Sequence, residues 1–188
     1  VRADASNFFN TPQFDPPGTD MSNKGTFGVI TSAGTGGGAT VTVVGTAGTG
    51  ALTYGVYVYG SGAQITSSGG AVSVTATGNT GPNPAEALRL ENFGAITSGV
   101  DADITITADS VNLLSGTSIN SGSGTTTIRT RTAGTQIDLG GADVLSGSPL
   151  TLGLTSAELN QITAGTLVIG RTGTARLTIE EYNGKKRN

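Results

Sequence analysis

The chain has 188 residues, of which 31 are Gly and only 12% are charged, against about 25% charged residues in ordinary domains. It holds no Cys, His or Trp and its formal net charge is −3, which excludes thiolate or imidazole zinc sites, His-dependent nucleophiles and a basic nucleic-acid footprint. No apolar run reaches the roughly 18 residues of a membrane-spanning helix, so a transmembrane segment of that kind is not expected.

Taken in chain order, residues 1–24 stand apart: VRADASNFFNTPQFDPPGTDMSNK is rich in turn formers and carries Phe8, Phe9 and Phe14. It reads as an irregular arm or cap that lays aromatics on the first turn of a rod, with a free tail as the alternative. The start at Val1 reads as that of a mature or excised segment. From residue 25 to 180 short strands alternate with Gly-rich turns. The strand cores are ATVTVVG (39–45), YGVYVYG (54–60), AVSVTATG (71–78), ALRLE (87–91), DITITAD (103–109), TTTIRTRT (125–132), TQIDLG (135–140), PLTLG (149–153), TLVIG (166–170) and ARLTIE (175–180). Apolar and polar residues alternate in most of them, the period of a half-buried strand. TSAELNQI (155–162) has a capping residue, Thr155 or Ser156, with Glu158 in the first turn, so it predicts a short helical corner. The last residues, 181–188, form a polar charged tail.

The strands recur in a fixed order. Val56, Val58, Ile65, Val72, Val74 and Ala76 are echoed by Leu88, Leu90, Ile96, Ile104, Ile106 and Ala108, at an offset of 32 residues for all but Ile65, where it is 31. Val41 and Val43 precede Val72 and Val74 by 31, and Val111, Leu113 and Ile119 are echoed by Ile137, Leu139 and Leu145 at 26. Recurrence of that length is the mark of a solenoid rather than of hairpins. The period varies because corners vary: GNTGPNPAE (78–86), with two Pro, reads as a loop bulging from one corner. The expected fold is therefore all-β, a right-handed parallel β-helix of about five or six coils. Inward Val, Ile and Leu stack at the ~4.8 Å strand spacing, and Thr, Ser and Asn point outward. Unpaired backbone at the two ends would need covering or would join another copy, and Phe8, Phe9, Phe14 and Tyr182 are the candidates for either task.

GVYVYGSGAQITSSGGAVSVTATG (55–78) resembles the repeats of filamentous-haemagglutinin-like exoproteins and related large bacterial adhesins, and residues 136–170 look like another repeat of such proteins. The resemblance spans roughly residues 39–180. It implies a β-helical shaft outside the cell, in adhesion or biofilm, with host-surface or matrix glycans or proteins as partners. Neither the amino-terminal secretion signature nor the carboxy-terminal membrane barrel of that family is found.

Several patterns bear on chemistry. Asp101, Asp103 and Asp109, and Asp138 with Asp143, are the nearest approach to a carboxylate cluster; a solvated corner or a weak cation site are the readings of Asp101 and Asp103. LGGADVLSG (139–147) has the look of one calcium nonapeptide without its tandem partner and reads as a turn. Alternate Thr in 73–77, 104–108 and 125–132 admits an ice-binding array, although the three segments do not follow one fixed period and Arg129 and Arg131 interrupt the last. Tyr57 and Tyr59 face outward together if Val56 and Val58 face inward, and either stack on a sugar or partner or pack beneath the 78–86 loop. The sequence thus leads to a non-catalytic structural or adhesive shaft with no cofactor and no metal. A self-assembling filament subunit is the alternative, and a polysaccharide-active enzyme or ice-binding protein a further one.

Overall fold

The computed structural model describes residues 38–50, 52–99 and 101–170, and the backbone of 176–180. The proposed arm at 1–24, with Phe8, Phe9 and Phe14, and the tail at 181–188, with Tyr182, lie outside the described residues. In chain order the strands are β1 (Val41–Thr46), β2 (Val56–Tyr59), β3 (Gln64–Ser67), β4 (Val72–Thr77), β5 (Leu88–Glu91), β6 (Ala95–Ser98), β7 (Ile104–Thr107), β8 (Val111–Leu113), β9 (Ser118–Asn120) and β10 (Thr125–Arg129). They continue with β11 (Gln136–Leu139), β12 (Thr151–Leu154), β13 (Ile162–Thr163), β14 (Thr166–Gly170) and β15 (Arg176–Glu180), with one helix, α1 (Ser156–Leu159), between β12 and β13.

The strands lie in three stacked sheets and one separate pair. A wide sheet runs β1-β4-β7-β10-β14-β15, a middle sheet β3-β6-β9-β13, and a narrow sheet β2-β5-β8, while β11 pairs with β12. Each pass of chain thus lays one strand in each sheet, β2-β3-β4 and then β5-β6-β7 and β8-β9-β10. All pairings along these passes are parallel and in register: Val56 opposes Leu88, Ile65 opposes Ile96, and Val72 and Val74 oppose Ile104 and Ile106. The 31-residue offset between β1 and β4 is likewise a true register, Val41 with Val72 and Val43 with Val74.

The alternation of the sequence explains the core. In β4 and β7 every second residue is buried, so Val72, Val74, Ile104 and Ile106 point inward and Ser73, Thr75, Thr105 and Thr107 outward. The rows continue into Thr126 and Ile128 of β10 and Leu167 and Ile169 of β14. Thr126 is a polar residue in an apolar row, and its hydroxyl is satisfied 2.9 Å from that of buried Ser121. From the narrow sheet come Val56, Val58, Leu88, Leu90, Val111 and Leu113, and from the middle one Ile96, Ile119 and Ile162, into a single apolar cluster.

Passes stay in register although their lengths differ, because length is absorbed at corners. Leu88 and Val111 are partners 23 residues apart, whereas Val56 and Leu88 are 32 apart; the difference of nine is the loop 78–86. That loop leaves the core as expected and is pinned by an isolated bridge between Asn79 and Ala85. The corner from the middle to the wide sheet allows no such freedom. A Cβ on Gly70, Gly99 or Gly165 would collide with the backbone oxygen of Ala39, Ser67 or Ser123 on the pass before, and on Gly124 it would lie 2.6 Å from that of Asp101. Glycine recurs at this corner because adjacent passes come into backbone contact there.

Three expectations are corrected. The 26-residue echo is not a stacking register: among the described residues β8 pairs with β5 alone, Ile119 opposes Ile162, and Ile137 opposes Leu152 in the separate pair β11-β12. Residues 130–161 are an excursion, inserted before β13 and β14 resume the middle and wide sheets. The strand within 175–180 does not extend the parallel stack, since β15 runs antiparallel to β14. The Thr rows also align better than the sequence offsets suggest: Thr42, Ser73, Thr105 and Thr127 are consecutive partners across the wide sheet. The predicted helical corner is present as α1, capped by Thr155, whose hydroxyl accepts from the Glu158 N–H while the Glu158 carboxylate accepts from the Thr155 N–H.

Candidate functional site

The outward surface of the narrow sheet gathers the polar and aromatic side chains of interest. Burial of Val56 and Val58 turns Tyr57 and Tyr59 outward, where they are 44% and 55% exposed. Tyr54 joins them from the preceding corner, with ring centroids 4.9 Å from Tyr57, and Tyr57 lies 5.6 Å from Tyr59. On the next strand, the outward pair opposing Tyr57 and Tyr59 is Arg89 and Glu91. The Tyr57 hydroxyl donates to Glu91 Oε2 at 2.9 Å, Arg89 Nε donates to the same oxygen at 3.0 Å, and Arg89 Nη1 reaches Glu86 Oε1 at 3.3 Å. The guanidinium carbon also sits 5.2 Å from the Tyr54 ring centroid, a cation–π contact.

These contacts fix protonation. Hydrogen bonds from Arg89 and then Tyr57 hold the Glu91 carboxyl below the ordinary carboxylate value. Partial burial, followed by the bond to Glu91, pushes the Tyr57 hydroxyl up to about 12, so it remains a donor. Partial burial of Arg89 disfavours its charge, yet the hydrogen bond with Glu91 and the facing Tyr54, Glu86 and Glu91 outweigh it and hold the guanidinium protonated. The tyrosines are therefore set on a braced lattice instead of hanging freely. Sequence reasoning found Tyr57 and Tyr59 and missed Arg89, Glu86 and Glu91; the alternation of ALRLE, with Leu88 and Leu90 inward, was the available signal.

The outward row of Tyr57 and Arg89 ends on Asn112 of β8, whose side-chain amide donates to Glu86 at 2.8 Å. Asn112 and Glu86 line a cavity of about 400 Å³ together with Asp143 and Glu158. The excursion supplies these last two carboxylates, which close the free edge of β8. Asp143 Oδ2 accepts the Val111 N–H at 3.0 Å and Glu158 Oε1 the Leu113 N–H at 3.2 Å. The other Asp143 oxygen accepts the Gly153 N–H at 2.7 Å, which ties β12 to the same edge. Burial raises the Asp143 carboxyl to about 7; the like charges of Glu158 and Glu86 add to this, and the two N–H donors oppose it.

Asp101, Asp103 and Asp109 are more than a solvated corner. Each reaches the following pass: Asp101 Oδ1 accepts from the Ser123 N–H, Asp103 Oδ1 from the Thr125 N–H, and Asp109 Oδ1 from the N–H groups of Arg131 and Thr132, all at 2.8–2.9 Å. Asp109 further accepts from the hydroxyls of Thr132 at 2.6 Å and Thr135 at 3.1 Å. A carboxylate here replaces the backbone carbonyl that a continuing strand would offer. Asp109→Ala is expected to cost about 1–3 kcal/mol, the penalty of orphaned donors. Hydrogen exchange of the Arg131 and Thr132 amides should then accelerate at least tenfold while Ile106 exchange changes far less; unchanged protection would contradict the role.

Among the described residues no group of three or more Asp, Glu, His or Cys is arranged to hold a metal ion, and no helix is long and apolar enough to cross a membrane. At the carboxyl-terminal side of the stack, β14 is already paired with β15 and the β8 edge is closed by Asp143 and Glu158. No family model, no curated protein and no solved structure matches the chain.

Proposed function

We propose that the chain is a length of right-handed parallel β-helix that serves as a non-catalytic structural and adhesive shaft, exposed outside a bacterial cell, and that it meets its partner through the Tyr57/Tyr59 face. Right-handedness follows from the near-universal hand of parallel crossover connections. The observation that carries the reading is the in-register stacking of parallel strands in three sheets, with apolar rows inside and Thr, Ser and Tyr outside. Such a scaffold spends its sequence on a uniform core and on corner glycines, and it presents flat polar faces. The likeness of residues 55–78 and 136–170 to repeats of filamentous-haemagglutinin-like exoproteins supports an adhesive role at the cell surface or in a biofilm.

Braced, exposed tyrosines are suited to stacking on sugar rings, since each offers a rigid apolar face and a polar tip. Arrays of glycans and matrix proteins probed with the purified chain test this. Binding is expected, and Tyr57→Ala/Tyr59→Ala should weaken it about 30-fold, the ratio that corresponds to a hot-spot truncation of about 2 kcal/mol. An unchanged signal in the double variant would remove the tyrosine face from the reading, and cleavage of a polysaccharide by the wild-type chain would overturn its non-catalytic part.

A further inference from the structure

We infer that the Tyr57/Tyr59 face selects a polysaccharide carrying free amino groups, a hexosamine polymer that has lost some or all of its N-acetyl groups. The inference rests on the adhesive reading and names the ligand class of that same face. Three observations lead to it.

The first is the platform. Tyr54, Tyr57 and Tyr59 form a contiguous aromatic strip, and the row from Tyr57 through Arg89 to Asn112 crosses two strand intervals. At the usual strand spacing that row is about 9–10 Å long, the scale of two linked sugars. It runs across the outward face of the sheet from β2, the sheet's outermost strand, and a lysine oligomer distinguishes a sugar from an extended peptide at that edge. A sugar, whose own faces are flat and whose rims are polar, fits that face.

The second is charge. Among the described residues, Arg89 is the one cation along the row, and it is engaged by both Glu86 and Glu91. Glu86 and Glu91 flank the row through their hydrogen bonds with Arg89, and Glu86, Asp143 and Glu158 line the adjoining cavity with Asn112. Glu86, Glu91 and Glu158 set three carboxylates against one guanidinium that is already engaged by two of them, while burial raises the carboxyl of Asp143 to about 7, so that it adds little charge at pH 6. A uronate or sulfated polymer would be repelled, a fully acetylated one would meet no charge complement, and an ammonium group would be drawn in.

The third is that the aromatic strip favours the same sign. The negative faces of tyrosine rings attract a cation within about 6 Å of the centroid, and Arg89 already uses Tyr54 in this way. Tyr59 makes no comparable contact with Arg89 and leaves its ring for a ligand. Sugar C–H groups and an ammonium on the same residue can thus use one platform together.

The test is isothermal titration of the whole chain at pH 6 with six-sugar oligomers of glucosamine, N-acetylglucosamine and galacturonate, and with a lysine oligomer. The glucosamine oligomer should bind at least tenfold more tightly than its N-acetylated counterpart, and the galacturonate oligomer should not bind. Tyr59→Ala should weaken both hexosamine oligomers. Glu91→Gln should reduce the preference for the amino form several-fold, with circular dichroism confirming that the variant remains folded. Equal affinity for the two hexosamine oligomers, a preference for galacturonate, or lysine-oligomer binding as tight as that of glucosamine would overturn the inference. If none of these oligomers binds while another glycan does so in a Tyr57/Tyr59-dependent manner, the inference fails and the adhesive reading stands. If no glycan or matrix protein binds at all, both fail.

Discussion

Ile106→Ala is expected to lower the free energy of unfolding by about 2–5 kcal/mol, the range for truncating a large aliphatic side chain in a core. Ile106 is fully buried at the centre of the widest sheet, with Val74 on one side of it in the inward row and Ile128 on the other. Those neighbours cannot slide in to fill the void, because their strands are held at the hydrogen-bonded spacing by the parallel ladder. The loss should therefore fall toward the upper part of the range. Thr107, next in sequence, points outward, and Thr107→Ala should cost under about 1 kcal/mol, in keeping with surface substitutions. Urea unfolding of both variants checks the contrast; equal losses would contradict the inward and outward assignment.

The second large effect is a dependence of stability on pH through Asp143. Its carboxyl is raised to about 7 in the folded chain from an ordinary 3.8. The groups that face it are the carboxylates of Glu158 on α1 and Glu86 before β5, together with the N–H groups of Val111 on β8 and Gly153 on β12. Between about pH 4 and pH 7 the folded chain holds a proton there that the unfolded chain has released. Stability should fall as pH rises across that window and level off above it, by up to about 4 kcal/mol at the conversion of 1.36 kcal/mol per pKa unit. Glu91, whose carboxyl is lowered, acts in the opposite direction, and its contribution is lost only as pH falls below the ordinary glutamate range. Denaturant midpoints at pH 5 and pH 8 should thus favour pH 5, and Asp143→Asn should remove most of the difference. A midpoint higher at pH 8, or the same slope in the variant, would contradict this role of Asp143.

The parts of the fold legible in the sequence are those set by local alternation and by repetition between neighbouring passes. Val56 and Leu88, Ile65 and Ile96, and Val72 and Ile104 could be paired from their order alone, because a stacked row demands the same kind of side chain at each level. The reading failed where the chain leaves the stack. Ile137 and Leu139 carry the same apolar alternation as Val111 and Leu113, and alternation does not say which strand is the partner; β11 found β12 instead. The antiparallel direction of β15 was equally silent, since a strand's side-chain period of two is the same in either direction. At the candidate site, Tyr57 and Tyr59 were legible as outward residues. The acidic clamps were not: Asp109 is 22 residues from Arg131, and Asp143 is 32 from Val111, separations that depend on corner lengths. A carboxylate that completes a neighbouring pass looks in sequence like any exposed aspartate.

Parallel strands stacked in register from pass to pass underlie every assignment of core, face and clamp, and paired cysteines test that register most directly in a chain that has none of its own. Thr75 and Thr107 are outward Cα partners on β4 and β7, whereas Thr97 faces outward from the middle sheet on β6. At high dilution a short bifunctional thiol reagent should join the Thr75→Cys/Thr107→Cys pair within one molecule and leave Thr75→Cys/Thr97→Cys unjoined. Efficient linkage of the second pair, or failure to link the first in the folded chain, would contradict the stacked parallel register.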